Sequence, residues 1–131
     1  MNEHLPRKST DFWSGRWSSF CAAITGAAYV LRTQTNAQIE VALATIACVI
    51  GWSCGLSSTE WAILSLTIGL VLAMEALNTA LETVVDLISP GEHPLAKRAK
   101  DVAAGAMIFA ALGSIAVGIA LFGPRLWKVL G

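Results

Sequence analysis

Three apolar runs dominate the chain: Val41 to Leu56, Ala62 to Leu81 interrupted by one carboxylate, and Val102 to Phe122. A helix needs about 20 residues to cross a hydrocarbon core of ~30 Å, with a working range of about 17 to 25. The second and third runs reach that length directly, and the first reaches it once Gln38 to Glu40 are placed at headgroup depth. None shows the two-residue alternation of a barrel strand, and backbone groups in lipid must be satisfied internally, so the runs predict helices. Upstream, Trp13, Trp17, Phe20, Ile24, Ala27 and Leu31 recur every three or four residues, opposite Ser14, Arg16, Ser18 and Thr25. That is the pattern of an amphipathic helix lying in the membrane interface, either as an anchor or as part of a ligand site. The predicted fold is an all-α membrane protein in a single domain, 1–131. It comprises an interfacial helix over about 11–33 and transmembrane helices over about 38–56, 61–88 and 95–123. Ala99, Ala103, Ala106, Ala110 and Gly113 form a small-residue face on the last span, suited to close helix contact in the same chain or in an oligomer.

Composition agrees: 55% of the 131 residues are hydrophobic and only 14% charged, with a mean hydropathy of +0.62. Nine Lys plus Arg balance nine Asp plus Glu, which removes the basic surface that nucleic-acid binding needs. Cys21, Cys48 and Cys54 are odd in number and lie in or beside apolar runs, so they read as small hydrophobes and not as a disulfide framework. The first twenty residues hold Pro6, Arg7, Lys8, Asp11 and Arg16 and no continuous apolar stretch, so no cleavable signal peptide is expected. Basic residues also set the expected orientation. Arg7, Lys8, Arg16 and Arg32 precede the first span, Lys97, Arg98 and Lys100 lie between the second and third, and the turn from Leu56 to Glu60 has none. The positive-inside rule then puts the N-terminus and the second connection in the cytoplasm. Trp52, Trp61 and Trp127 fall near the outer interface, and the short C-terminus lies outside.

Glu75, Asn78, Glu82 and Asp86 follow one another at spacings of three, four and four. At 100° per residue they share an arc of about 80°, a single polar stripe. Fourteen residues at ~1.5 Å each separate Trp61 from Glu75, which puts Glu75 about 21 Å into the bilayer and Glu82 ~10 Å further, at the boundary. An ionisable group at membrane depth costs at least ~2.5 kcal/mol and by default marks function. Two other readings stay open for the stripe: a helix-packing carboxylate hydrogen-bonded to a neighbour, and an ion or proton site of a small transporter subunit. The stripe runs out towards water instead of lying at the midplane, which weighs against the transporter. Beside it, Pro90 and Gly91 end one helix, Pro94 opens the next, and Glu92, His93, Lys97, Arg98, Lys100 and Asp101 crowd the connection. Carboxylates for a metal and lysines for phosphate, at a membrane face, suggest phosphoryl chemistry on a lipid.

There is no Walker A sequence, no protein-kinase glycine loop and no zinc-ligand spacing. What the residues do resemble, in Glu75-Ala-Leu-Asn-Thr-Ala-Leu-Glu-Thr-Val-Val-Asp86 and His93-Pro-Leu-Ala-Lys-Arg-Ala-Lys-Asp-Val-Ala-Ala-Gly-Ala106, is the signature of the small bacterial integral-membrane diacylglycerol kinase and undecaprenol kinase family. The resemblance extends from about Arg16 to Phe122. It implies a homotrimer in the bacterial cytoplasmic membrane that transfers the ATP γ-phosphate to a lipid hydroxyl with Mg²⁺. Position by position it implies Glu75 as catalytic carboxylate, with Asn78 beside it at the substrate, and Glu82 as ligand to metal and nucleotide. Asp86, Glu92, His93, Lys100 and Asp101 take its ATP-side positions. The family's second metal-binding glutamate aligns with Gln34, and an arginine common nearby is replaced by Gln38. An amide offers one oxygen but no charge, so a weaker metal site is expected. The wording of the second motif is more similar to the undecaprenol-kinase-like branch, with diacylglycerol as the alternative substrate.

Overall fold

The computed structural model describes residues 12–130, and within them every element is helical: α1 (Phe12–Thr33), α2 (Thr35–Ser53), α3 (Ser58–Ile88) and α4 (Pro94–Leu130). Arg7, Lys8 and Asp11 of the basic N-terminal segment lie outside the described residues. Three of the helices, α2, α3 and α4, are long and apolar enough to cross a membrane. Their outward faces carry large apolar side chains such as Leu66, Phe109 and Ile119, each at least two-thirds exposed. A surface of that kind is stable against lipid and not against water. The protein is therefore an all-α, multi-pass membrane protein. Trp13, Trp17, Phe20 and Ile24 of α1 are exposed as well, as an interfacial helix requires.

Each junction has a local physical cause. Gln34 alone separates α1 from α2; its backbone is extended (φ −96°, ψ 115°), so α2 begins at Thr35, earlier than the expected 38. The break leaves carbonyls of α1 without helical partners. Gln38 reaches back to donate its side-chain amide to the oxygens of Arg32 (3.2 Å) and Leu31 (3.4 Å), while Arg32 complements the negative end of α1. Between α2 and α3 the chain closes a Schellman turn. Gly55 takes φ +65°, its N–H bonds the Trp52 carbonyl, and the Leu56 N–H bonds the Gly51 carbonyl. Leu56 is thereby turned inward against Gly51, where a Cβ would stand 2.8 Å from Leu56 Cδ1.

Immediately afterwards Ser57 and Glu60 form a capping box. The Ser57 N–H and hydroxyl both donate to Glu60 Oε2 (2.8 and 2.9 Å), and the Glu60 N–H donates to Ser57 Oγ. Arg125 of α4 donates to the same Oε2 at 2.9 Å, tying the far end of α4 to the start of α3. Arg125 also donates to the Leu121 carbonyl, a carbonyl in the turn that Pro124 disturbs. So supported, α4 continues through Pro124 to Leu130 and does not end at 123 as expected. The small core at this end comprises Leu56, Leu64 and Leu121, flanked by Ala47, Cys48, Trp61 and Phe122.

α4 packs mainly on α3. Of the predicted small-residue face, Ala103, Ala106 and Ala110 are buried or half-buried, whereas Ala99 and Gly113 are exposed. The contact line continues through Ser114, Val117 and Leu121 instead, because a helix of 3.6 residues per turn needs a four-residue step after Ala110.

The two halves of the capping box carry different loads. Ser57→Ala is expected to lower stability by about 1 kcal/mol, the usual cost of a lost N-cap. Glu60→Ala should cost more, because it also releases Arg125; thermal unfolding in detergent compares the two, and an equal or smaller loss for Glu60→Ala contradicts this linkage.

Candidate functional site

The polar stripe predicted along α3 is present, but its members meet different surroundings. Glu75 is 1% exposed, the largest fully buried side chain among the described residues. Thr79, one turn on, is also buried and donates its hydroxyl back to the Glu75 carbonyl at 2.9 Å; Thr83 does the same to Thr79 at 2.8 Å. Such back-bonding hides hydroxyls that would otherwise be unpaired in lipid. Asn78 donates from Nδ2 to Glu82 Oε1 at 3.2 Å, joining the middle two members of the stripe. Burial of Glu75 follows from the elbow between α1 and α2, both of which contact α3. Val30 and the wholly buried Ala37 fill that elbow.

Two residues that sequence reasoning passed over complete the buried end. Asn36, itself exposed, lies near enough to the Glu75 carboxyl to interact with it, and half-buried Glu40 and Glu82 are within electrostatic reach of the same group. Glu40 is the one charged residue lining a mostly apolar cavity of about 320 Å³ between α2, α3 and α4, which Thr67 and Ser114 also border. Asn36 and Glu40 are four residues apart, hence on one face of α2. That spacing was the available signal, and it was masked because Gln38 to Glu40 read as headgroup-level residues. Glu40 Oε2, Glu75 Oε2 and Asn78 Oδ1 are buried without a hydrogen-bond partner. Buried acceptors of this kind call for a donor, and a lipid hydroxyl is a donor that reaches this depth.

At the other end of the stripe α3 stops at Ile88, and α4 restarts at Pro94 with His93 Nδ1 accepting the Leu95 N–H at 3.2 Å. The ends enclose an open cleft of about 800 Å³, within the range of small-molecule sites. Asp86, Glu92, His93, Lys100 and Asp101, the five residues expected on the nucleotide side apart from Glu82, all line it, together with Lys97. Lys100 Nζ pairs with Asp86 Oδ1 across the turn. Glu82 does not line the cleft; it stands between cleft and buried end, bonded to Asn78. Gln34 sits at the α1–α2 elbow with its side-chain amide donating to Thr33 Oγ1 at 3.2 Å, and its observed bonds do not join it to Glu82. No group of three or more His, Cys, Asp or Glu able to hold a metal occurs among the described residues. Glu82 with phosphate oxygens and water remains a sufficient set for Mg²⁺, which commonly takes only one or two carboxylates.

A polar seam thus runs from a buried carboxylate inside a spanning helix to a charged, open cleft at the helix end. The chain belongs to the prokaryotic diacylglycerol kinase family, whose family model matches residues 21–122, and it is a lipid kinase. It is 43% identical over 110 residues to the undecaprenol kinase of Bacillus subtilis, covering 84% of this chain and 89% of that protein. To the diacylglycerol kinase of Synechocystis sp. it is 42% identical over 117 residues, covering 86% of this chain and 65% of the other. A diacylglycerol kinase of Haemophilus influenzae is 33% identical over 88 residues, 67% of this chain and 75% of that one. The chain thus spans slightly less than two thirds of the Synechocystis protein.

Because Asn36 is the polar neighbour of Glu75 on α2, Asn36→Ala should reduce the turnover number for lipid phosphorylation by about tenfold, ~1.4 kcal/mol of barrier, and leave the KM for ATP within twofold. Initial rates in mixed micelles measure this; turnover within twofold of the unaltered protein contradicts a role for Asn36 at the carboxylate.

Proposed function

We propose that the chain transfers the γ-phosphate of ATP to the hydroxyl of a membrane lipid, undecaprenol in preference to diacylglycerol, at the bacterial cytoplasmic membrane. The observation that carries the reading is the nearly complete burial of Glu75 on the same helix face that, three turns later, reaches a charged cleft. A lipid alcohol stays in the bilayer and ATP stays in water, so the transfer centre must lie between the phases. The preference for undecaprenol is supported by the Bacillus subtilis relative, which this chain matches over most of both lengths. Diacylglycerol is the second reading, supported by the relatives that carry that name.

In this reading Glu75 accepts the proton of the lipid hydroxyl through its unpaired Oε2, while Asn78, one turn on, steadies the hydroxyl oxygen with the second hydrogen of Nδ2. Positioning and electrostatic stabilisation supply most of the catalysis in phosphoryl transfer. Lys100 offsets charge on the transferred group, and Glu92, His93 and Asp101 hold the nucleotide. Glu82, kept in place by Asn78, is the carboxylate that would hold Mg²⁺, with Gln34 contributing at most an amide oxygen. When bound, the ion supplies charge neutralisation on the phosphates. The cleft and the N-terminus face the cytoplasm, following the distribution of Arg and Lys. Copies of the chain assemble as a homotrimer, in which the apolar faces exposed on a single chain are shared with neighbours and lipid.

The test is purified protein with radiolabelled ATP, Mg²⁺ and either lipid. Label is expected in the organic phase, faster with undecaprenol, and lost by at least about a hundredfold in Glu75→Gln. No label in either lipid, or a Glu75→Gln rate within twofold, overturns the reading.

Position 34 gives a separate expectation. Gln34→Glu restores a charge at the elbow and should lower the Mg²⁺ concentration for half-maximal rate by about threefold or more. An unchanged or raised requirement shows that position 34 is not near the metal.

A further inference from the structure

Asp86 and Lys100 each occupy the end of a helix that disfavours their charge. Asp86 is in the last turn of α3, where carbonyls present partial negative charge, and that turn has no basic residue of its own. Lys97 and Lys100 are in the first two turns of α4, at the positive end of the dipole, with no acidic residue in the first turn. The two unfavourable placements are relieved by each other: Lys100 Nζ donates to Asp86 Oδ1 across the 89–93 turn. Stability alone does not account for this. The side chains are 37% and 63% exposed, and ion pairs so open to water contribute little to stability.

Location does account for it. Both residues line the 800 Å³ cleft, and an ammonium has three donors, of which Asp86 takes one. A carboxylate facing a triphosphate would repel it, unless it spends its charge on the cation that the phosphate also needs. We infer that Asp86 is a positioning residue for Lys100: it tethers the ammonium over the cleft so that the remaining donors meet the transferred phosphoryl, and it does not itself bind nucleotide or metal. This rests on the lipid-kinase reading above and replaces the direct nucleotide contact that family resemblance implies for position 86. A lysine stem is flexible and rich in rotamers, so an untethered Lys100 would seldom point at the reacting group.

A double-mutant cycle on the full chain separates this from a direct role. Asp86→Asn should lower kcat by about 10- to 50-fold, with the KM for ATP and the half-maximal Mg²⁺ concentration each within about threefold. Asp86→Glu should recover most of the lost rate. In a Lys100→Met background, Asp86→Asn should change the remaining rate less than about twofold, since its partner is already gone. Should Lys100→Met be too slow to assay, binding of a non-hydrolysable ATP analogue by calorimetry gives the second measurement. Its Kd is expected to stay within about threefold in Asp86→Asn. Multiplying effects in the double variant, a raised Mg²⁺ requirement or a Kd weakened by tenfold or more would each overturn the tether. An unaltered protein that phosphorylates neither lipid would instead remove the kinase reading itself.

Discussion

The structure depends on keeping one carboxylate, Glu75, out of water inside a helix that must also cross lipid. An ionisable side chain at such depth is costly unless protein surrounds it. The α1–α2 elbow, with Ala37 and Val30 packed inside it, supplies that enclosure on one side of α3. Asn36 supplies polar company, and the hydroxyls of Thr79 and Thr83 are folded back onto the backbone so that they add no further unpaired groups. From Glu75 the polarity rises one helical turn at a time, through Asn78 and Glu82 to Asp86 and open solvent. That gradient lets a single helix present both an apolar and an aqueous environment along one face, as the proposed transfer between a lipid and a water-borne donor requires.

The rest of the chain keeps this helix in register. Gln38 closes the end of α1 and so fixes the elbow; Gly55 and Leu56 turn α2 into α3; Glu60 and Arg125 hold α3 and α4 together at the end away from the cleft. At the cleft end Lys100 and Asp86 make the corresponding connection. The long α3–α4 contact is thus pinned by an ion pair at each extremity, one partly buried and one solvent-facing. The partly buried pair shares its acceptor with a helix cap, whereas the solvent-facing pair borders the open cleft.

Much of this was legible in the sequence because it depends on period and composition. Apolar run length gave three spans, and the spacing of Glu75, Asn78, Glu82 and Asp86 gave their common face. What stayed hidden depends on contacts between distant residues. Asn36 and Glu40 look like interfacial polar residues until the elbow folds Glu75 against them. Beyond 123, α4 continues through Pro124 and brings Arg125 to a glutamate 65 residues away, a contact that no local signal reports. The small-residue face of α4 holds at Ala103, Ala106 and Ala110 but not at Ala99 or Gly113, because the contact line takes a four-residue step to Ser114 that residue size does not report. Gln38, which reads in sequence as a headgroup-level residue in place of an arginine, caps α1.

The proposed transfer requires the mouth of the polar seam to open on the side of the membrane where ATP is found. In a background with Cys21, Cys48 and Cys54 replaced, Gly91→Cys marks the cleft and Ser58→Cys marks the opposite turn. A membrane-impermeant thiol reagent added to intact cells should label Ser58→Cys and leave Gly91→Cys unmodified until the membrane is opened. Labelling of Gly91→Cys from outside, with Ser58→Cys protected, would contradict the account.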